Sequence, residues 1–92
     1  MRFHKFTTVF TPEEDDSEVY NVSVPALPEI HTFGCSFEEA RFMAQDAMEL
    51  VILSKLEQGD SIPVDKKPVK IKKNEKVEEM EINSLLFPGI LK

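Results

Sequence analysis

Seventeen acidic side chains, eleven basic ones, two histidines and one cysteine are the groups in this 92-residue chain that could do chemistry. The densest cluster is Glu13, Glu14, Asp15 and Asp16, with Glu18 just beyond. Consecutive carboxylates on a loop cannot all turn inward on one cation, and the run lacks the glycine and distal glutamate of a calcium loop. It reads as a solvated hairpin tip. Asp46 and Glu49 are spaced to share one face of a helix, and paired carboxylates do hold metal ions in nucleases when other elements add ligands. No acid from a strand is clearly aimed at them. Cys35 can form neither an internal disulfide nor a cysteine zinc cluster, and as a nucleophile it would need His4 or His31 beside it, so it reads as an inert packing residue. His31 has no serine or cysteine with an acid partner placed to make a triad, and reads as a half-exposed strand residue. Six of the eleven bases fall between Lys66 and Lys76 without an aromatic or an arginine among them. Neither base stacking nor bidentate base reading is supplied, and a lysine-protected edge strand explains the run. No catalytic residue, cofactor site or metal site is assigned.

The charge is uneven. Residues 1–65 carry 13 acids against 4 bases, a net of −9, whereas residues 66–92 carry 7 bases against 4 acids, a net of +3. An acidic body with a basic arm argues against phosphate binding by the body and favours a basic protein partner. Hydrophobic content of 41% and charged content of 30% are those of a globular protein. A chain this short buries only ~60–65% of its unfolded surface, so self-association into a homo-oligomer is expected. No apolar run approaches the ~20 residues that span a bilayer, and MRFHKFTTVF has charges where a signal peptide needs an apolar core, so a cytoplasmic protein is expected.

The elements that would position these groups follow from periodicity. Phe3 to Thr11 alternates β-branched and aromatic residues on two faces and predicts a strand. TPEEDDSE is a hairpin loop, and Val19 to Val24 a second, antiparallel strand stopped by Pro25 and Pro28. Ile30 to Phe33 allows a brief third strand, and Gly34 a turn. Ser36 with Glu39 forms a capping box that opens a helix running to about Glu57, which Gly59 terminates. Leu50 to Leu53 are apolar all the way round that helix, so this stretch should touch something on a second side, such as the C-terminal arm or another subunit, or else be a helix end wrapped by its own chain. Pro68 to Lys73 predicts a further strand and Val77 to Ser84 a possible one, while the apolar LLFPGILK should dock on this or a neighbouring chain. The predicted fold is α+β, a two-layer β-β-β-α-β arrangement with one long helix on an antiparallel sheet, comprising a domain over 1–64 and a C-terminal extension over 65–92.

Phe10-Thr11-Pro12, Val24-Pro25-Ala26-Leu27-Pro28, Gly34, Ser36-Phe37-Glu38-Glu39-Ala40 and Ile62-Pro63 occur in an order and spacing that resembles the N-terminal domain of HicB-type antitoxins. The resemblance covers about Phe6 to Pro63. It implies a β-β-β-α-β fold of the partial ribonuclease-H-like kind and a non-enzymatic role, binding and masking a small basic HicA-like toxin that cleaves messenger RNA. Glu29 departs from the family's usual glycine after the second proline. The residues after Pro63 show no helix-turn-helix or ribbon-helix-helix pattern, so DNA binding is not expected.

The resulting expectation is a protein-interaction domain that occludes a basic toxin surface, with Glu13, Glu14, Asp15, Asp16, Glu18, Asp46 and Glu49 as contact residues. Two other classes stay open on the residues alone: a metal-dependent nuclease using the carboxylates, and a structural oligomerisation module.

Overall fold

The computed structural model describes residues 3–83. Its elements are β1 (Phe3–Pro12), β2 (Tyr20–Ser23), β3 (His31–Gly34), α1 (Phe37–Gln58) and β4 (Lys76–Asn83). They form one four-stranded antiparallel sheet in the order β3-β2-β1-β4 with α1 packed on it, the α+β arrangement expected. β1 is the long central strand. It pairs with β4 from Phe3↔Asn83 to Phe10↔Lys76 and with β2 from Val9↔Ser23 to Pro12↔Tyr20.

The period-2 alternation of β1 sends Phe6, Thr8 and Phe10 toward the helix. The Thr8 hydroxyl lies 3.9 Å from the Met48 sulfur, and the Phe10 ring meets Phe37 edge-on at 5.0 Å. Phe6 and Phe10 are buried, a contribution of roughly 1.5–3 kcal/mol each. From β4, Met80 and Ile82 join the same core. The core is completed by Val24, Leu27 and Ile30, which the connection between β2 and β3 delivers at a three-residue spacing. The Leu27 amide donates to the Val24 carbonyl at 2.9 Å and the Ile30 amide to the Leu27 carbonyl at 3.0 Å. These are two successive β-turns with Pro25 and Pro28 each in the second position, where a fixed φ is an advantage. Glu29 occupies the third position of the second turn without a positive φ, so no glycine is required there.

The helix begins as its sequence dictates. The Ser36 hydroxyl accepts from the Glu39 amide at 3.0 Å, while the Glu39 carboxylate accepts from the Cys35 amide at 2.8 Å, one residue earlier than in the usual capping box. At the other end Gly59 takes φ 73°, and the Gly59 and Asp60 amides satisfy the Leu56 and Lys55 carbonyls. α1 approaches β3 so closely that a Cβ at Gly34 would stand 2.2 Å from the Ala40 nitrogen.

Two expectations are corrected. Pro68 to Lys73 is not a strand: residues 60–75 form an irregular connection across the face of the sheet opposite the helix, and the closing strand is Lys76–Asn83. The slot beside β1 is filled by the later segment, and the lysine-rich run is held instead by side chains. Asp65 accepts from Thr7, the Lys67 ammonium lies 2.9 Å from the Glu79 carboxylate, and Glu75 accepts from the Thr11 hydroxyl. The lysines therefore do not protect an edge strand. Cys35 is exposed and not a packing residue, because it lies in the bend that precedes the helix. The expected docking of LLFPGILK falls outside the described residues.

Candidate partner-binding surface

Glu13, Glu14, Asp15, Asp16 and Glu18 are all exposed in the β1–β2 connection. Internal hydrogen bonds shape this loop. The Glu13 amide donates to the Val19 carbonyl at 2.8 Å, the Val19 amide to the Asp16 carbonyl at 3.1 Å, and the Glu18 amide to the Asp16 carboxylate at 3.0 Å. Asn21 donates to the Glu13 carboxylate. Among the described residues no lysine or arginine forms an ion pair with this loop.

Asp46 and Glu49 sit near the middle of α1, Asp46 exposed and Glu49 half-buried, with Gln45 3.3 Å from the Glu49 carboxylate. They are not brought together with the hairpin acids, which lie at the end of the sheet where β1 meets β2. Their arc of the helix is defined by its opposite. Ala40, Ala44, Met48 and Ile52 face the sheet and are fully buried, so with 3.6 residues per turn the solvent arc runs through Phe42, Asp46 and Leu50. Phe42 is 68% exposed and Leu50 60%. Half-buried Met43 and Leu53 flank them, and Glu38, Glu39 and Glu57 continue the arc toward the two ends. The helix has two bases, and both are engaged elsewhere. Arg41 Nε lies 2.8 Å from Glu78 on β4, and Lys55 Nζ 3.4 Å from Glu29 in the β2–β3 turn. A backbone amide hydrogen bond and the Lys55 ammonium hold the Glu29 carboxyl below its ordinary value.

Of the apolar run Leu50 to Leu53, Ile52 enters the core and Leu50 faces out, 60% exposed; the second contact expected of this stretch is not made among the described residues. The exposure of Phe42 was not anticipated from the sequence. Its only signal was an aromatic out of phase with the alanine positions that line the core.

The remaining reactive groups do not converge. His31 is exposed on the edge strand β3 beside Phe33, Cys35 lies beyond that strand, and His4 is half-buried near the start of β1. Among the described residues no three histidine, cysteine or carboxylate side chains gather where an ion would sit. No helix among them is long and apolar enough to cross a membrane.

Comparison with known proteins gives a consistent result. The sequence model described as HicB_like antitoxin of bacterial toxin-antitoxin system matches residues 8–85. The crystal structure of the antitoxin HicB of Burkholderia pseudomallei superposes with a TM-score of 0.72 at 18% identity, covering 88% of this chain and 63% of that one. Its separately crystallised N-terminal domain superposes with a TM-score of 0.68 at 18% identity, covering 86% of this chain and 98% of that domain. The chain therefore spans 63% of the length of the longer antitoxin and nearly all of its N-terminal domain. No curated protein matches it.

Proposed function

The chain belongs to the HicB-like antitoxin family of bacterial toxin–antitoxin systems, and from that premise we propose that it acts without catalysis, by binding and masking a small basic HicA-like toxin that cleaves messenger RNA. The observation that carries this reading is the charge of the domain. Both helix bases are consumed by Glu78 and Glu29, while the acids of the 13–18 loop and of the outward arc of α1 have no cationic partner among the described residues. A surface of one sign accelerates encounter with a partner of the other and selects against wrong ones. Glu13, Glu14, Asp15, Asp16, Glu18, Asp46 and Glu49 are the proposed contacts. The same reading places the protein in the cytoplasm with its toxin, and in a homo-oligomer, which a thin core favours.

Co-expression with the small basic protein encoded in the adjacent reading frame tests it. The expected result is a co-purifying complex and restored growth of cells expressing that toxin. A chain that neither co-purifies nor rescues growth is not acting as that protein's antitoxin. Cleavage of RNA by the purified chain with magnesium or manganese, lost in Asp46→Asn, would replace this reading with a nuclease.

A further inference from the structure

The outward arc of α1 combines exposed apolar side chains with carboxylates and no base. Phe42 and Leu50 are large apolar side chains, 68% and 60% exposed, at positions i and i+8, with Asp46 between them at i+4. Met43 and Leu53 widen the apolar strip. Side chains four apart on a helix are neighbours, so the carboxylate of Asp46 stands inside an apolar patch rather than at its rim. The hairpin loop offers charge alone.

We propose that this arc is the principal docking face for the toxin, with Phe42 and Leu50 as apolar anchors and Asp46 as the acceptor for one lysine or arginine in the centre of the toxin's surface. The inference rests on the antitoxin reading and adds where the partner sits. Charge selects the occupant. The arc carries Glu38, Glu39, Asp46, Glu49 and Glu57 and no base, since Arg41 and Lys55 lie toward the sheet-facing side of the helix and are paired with Glu78 and Glu29. A second copy of this chain would set these five acids against five more. A basic partner with an apolar patch meets both the strip and its charge. A few well-packed residues near the centre of an interface carry most of its binding energy, and rim charges mainly set the rate of encounter. The arc and the loop therefore separate kinetically.

The test is binding kinetics of the full chain against the protein encoded in the adjacent reading frame. Phe42→Ala and Leu50→Ala are expected to weaken binding by about 30-fold each, mostly through faster dissociation. Asp46→Lys should abolish binding and Asp46→Asn weaken it. Neutralising Glu13, Glu14, Asp15 and Asp16 together should slow association and flatten its salt dependence while leaving dissociation within about 3-fold of the unmodified chain. All these positions are exposed, and circular dichroism of each variant is the check that it is folded. A complex that forms and rescues growth but tolerates all three helix substitutions overturns the inference and leaves the antitoxin reading standing. An unmodified chain that binds no such protein removes both. A chain that is dimeric by light scattering and becomes monomeric with Leu50→Ala assigns the arc to a second copy and overturns the inference as well.

Discussion

Asp65 takes both hydrogen-bond donors of Thr7 across 58 positions of chain: one carboxylate oxygen accepts the Thr7 amide at 2.7 Å and the other its hydroxyl at 2.7 Å. The reason lies in strand lengths. β2 ends opposite Val9, so at Thr7 the central strand has no neighbour on that side. Asp65 supplies the acceptor that a longer β2 would have supplied, and Thr7 is only 1% exposed, so water does not replace it. Asp65→Ala should destabilise the fold by about 1–3 kcal/mol, the cost of leaving a buried donor unpaired. Asp65→Asn keeps one acceptor oxygen and should cost less. Urea unfolding of the three proteins measures both, and an Asp65→Ala midpoint equal to that of the unmodified chain would show that the connection contributes nothing to the sheet.

The same contact gives a pH dependence. Burial pushes the Asp65 carboxyl up, but the Thr7 amide and hydroxyl, the Lys66 amide and the Lys67 charge together outweigh it and leave it below its ordinary value. The Thr11 hydroxyl and the Lys72 amide lower Glu75 likewise. A carboxyl lowered on folding adds stability that is present above the unfolded value, near pH 4, and is lost as pH falls through the folded one. Stability should therefore drop as pH is taken from about 5 to about 3, and Asp65→Asn with Glu75→Gln should make that slope shallower. Parallel loss in both proteins would assign the slope to other carboxyls.

Gly34 predicts the steepest loss from a single methyl group. An added Cβ would meet the Ala40 nitrogen at 2.2 Å, its Cα at 2.6 Å and the Glu39 carbonyl carbon at 2.7 Å, all backbone atoms that no rotamer change can clear. Gly34→Ala should cost about 2–3 kcal/mol or more, a drop of many degrees in melting temperature. A midpoint within a degree or two would mean that helix and strand slide apart without penalty.

Local signals suffice where local physics decides. The alternation of Phe6, Thr8 and Phe10, the Ser36–Glu39 pair and Gly59 each fix their own few residues, and the structure follows them. Val69 and Ile71 alternate with lysines as a strand would, yet their segment is placed by Asp65, Lys67 and Glu75 reaching partners far away in sequence. No periodicity encodes that. The acids of the hairpin and of the helix were visible as candidates, but Phe42 was not. Which arc of a helix faces the sheet is set by the partner it packs on, and the alanines that mark the buried arc are helix formers on any face. The two-turn connection of Val24, Leu27 and Ile30 was legible as punctuation through its prolines, while its delivery of three core residues was not.

The pairs Arg41–Glu78 and Lys55–Glu29 are partly exposed, and ion pairs at a protein surface add about 0–1 kcal/mol each to stability. Their geometry matters more than their energy. Glu78 lies on the edge strand β4 and Glu29 in the turn between β2 and β3, on the opposite side of the sheet, so α1 is tethered to both sides and resists rolling about its own axis. A helix whose roll is opposed on both sides offers visitors one favoured orientation of its outward side chains. Little conformational freedom is left to lose when something binds there, which favours recognition by a rigid, preorganised face over recognition by adaptation.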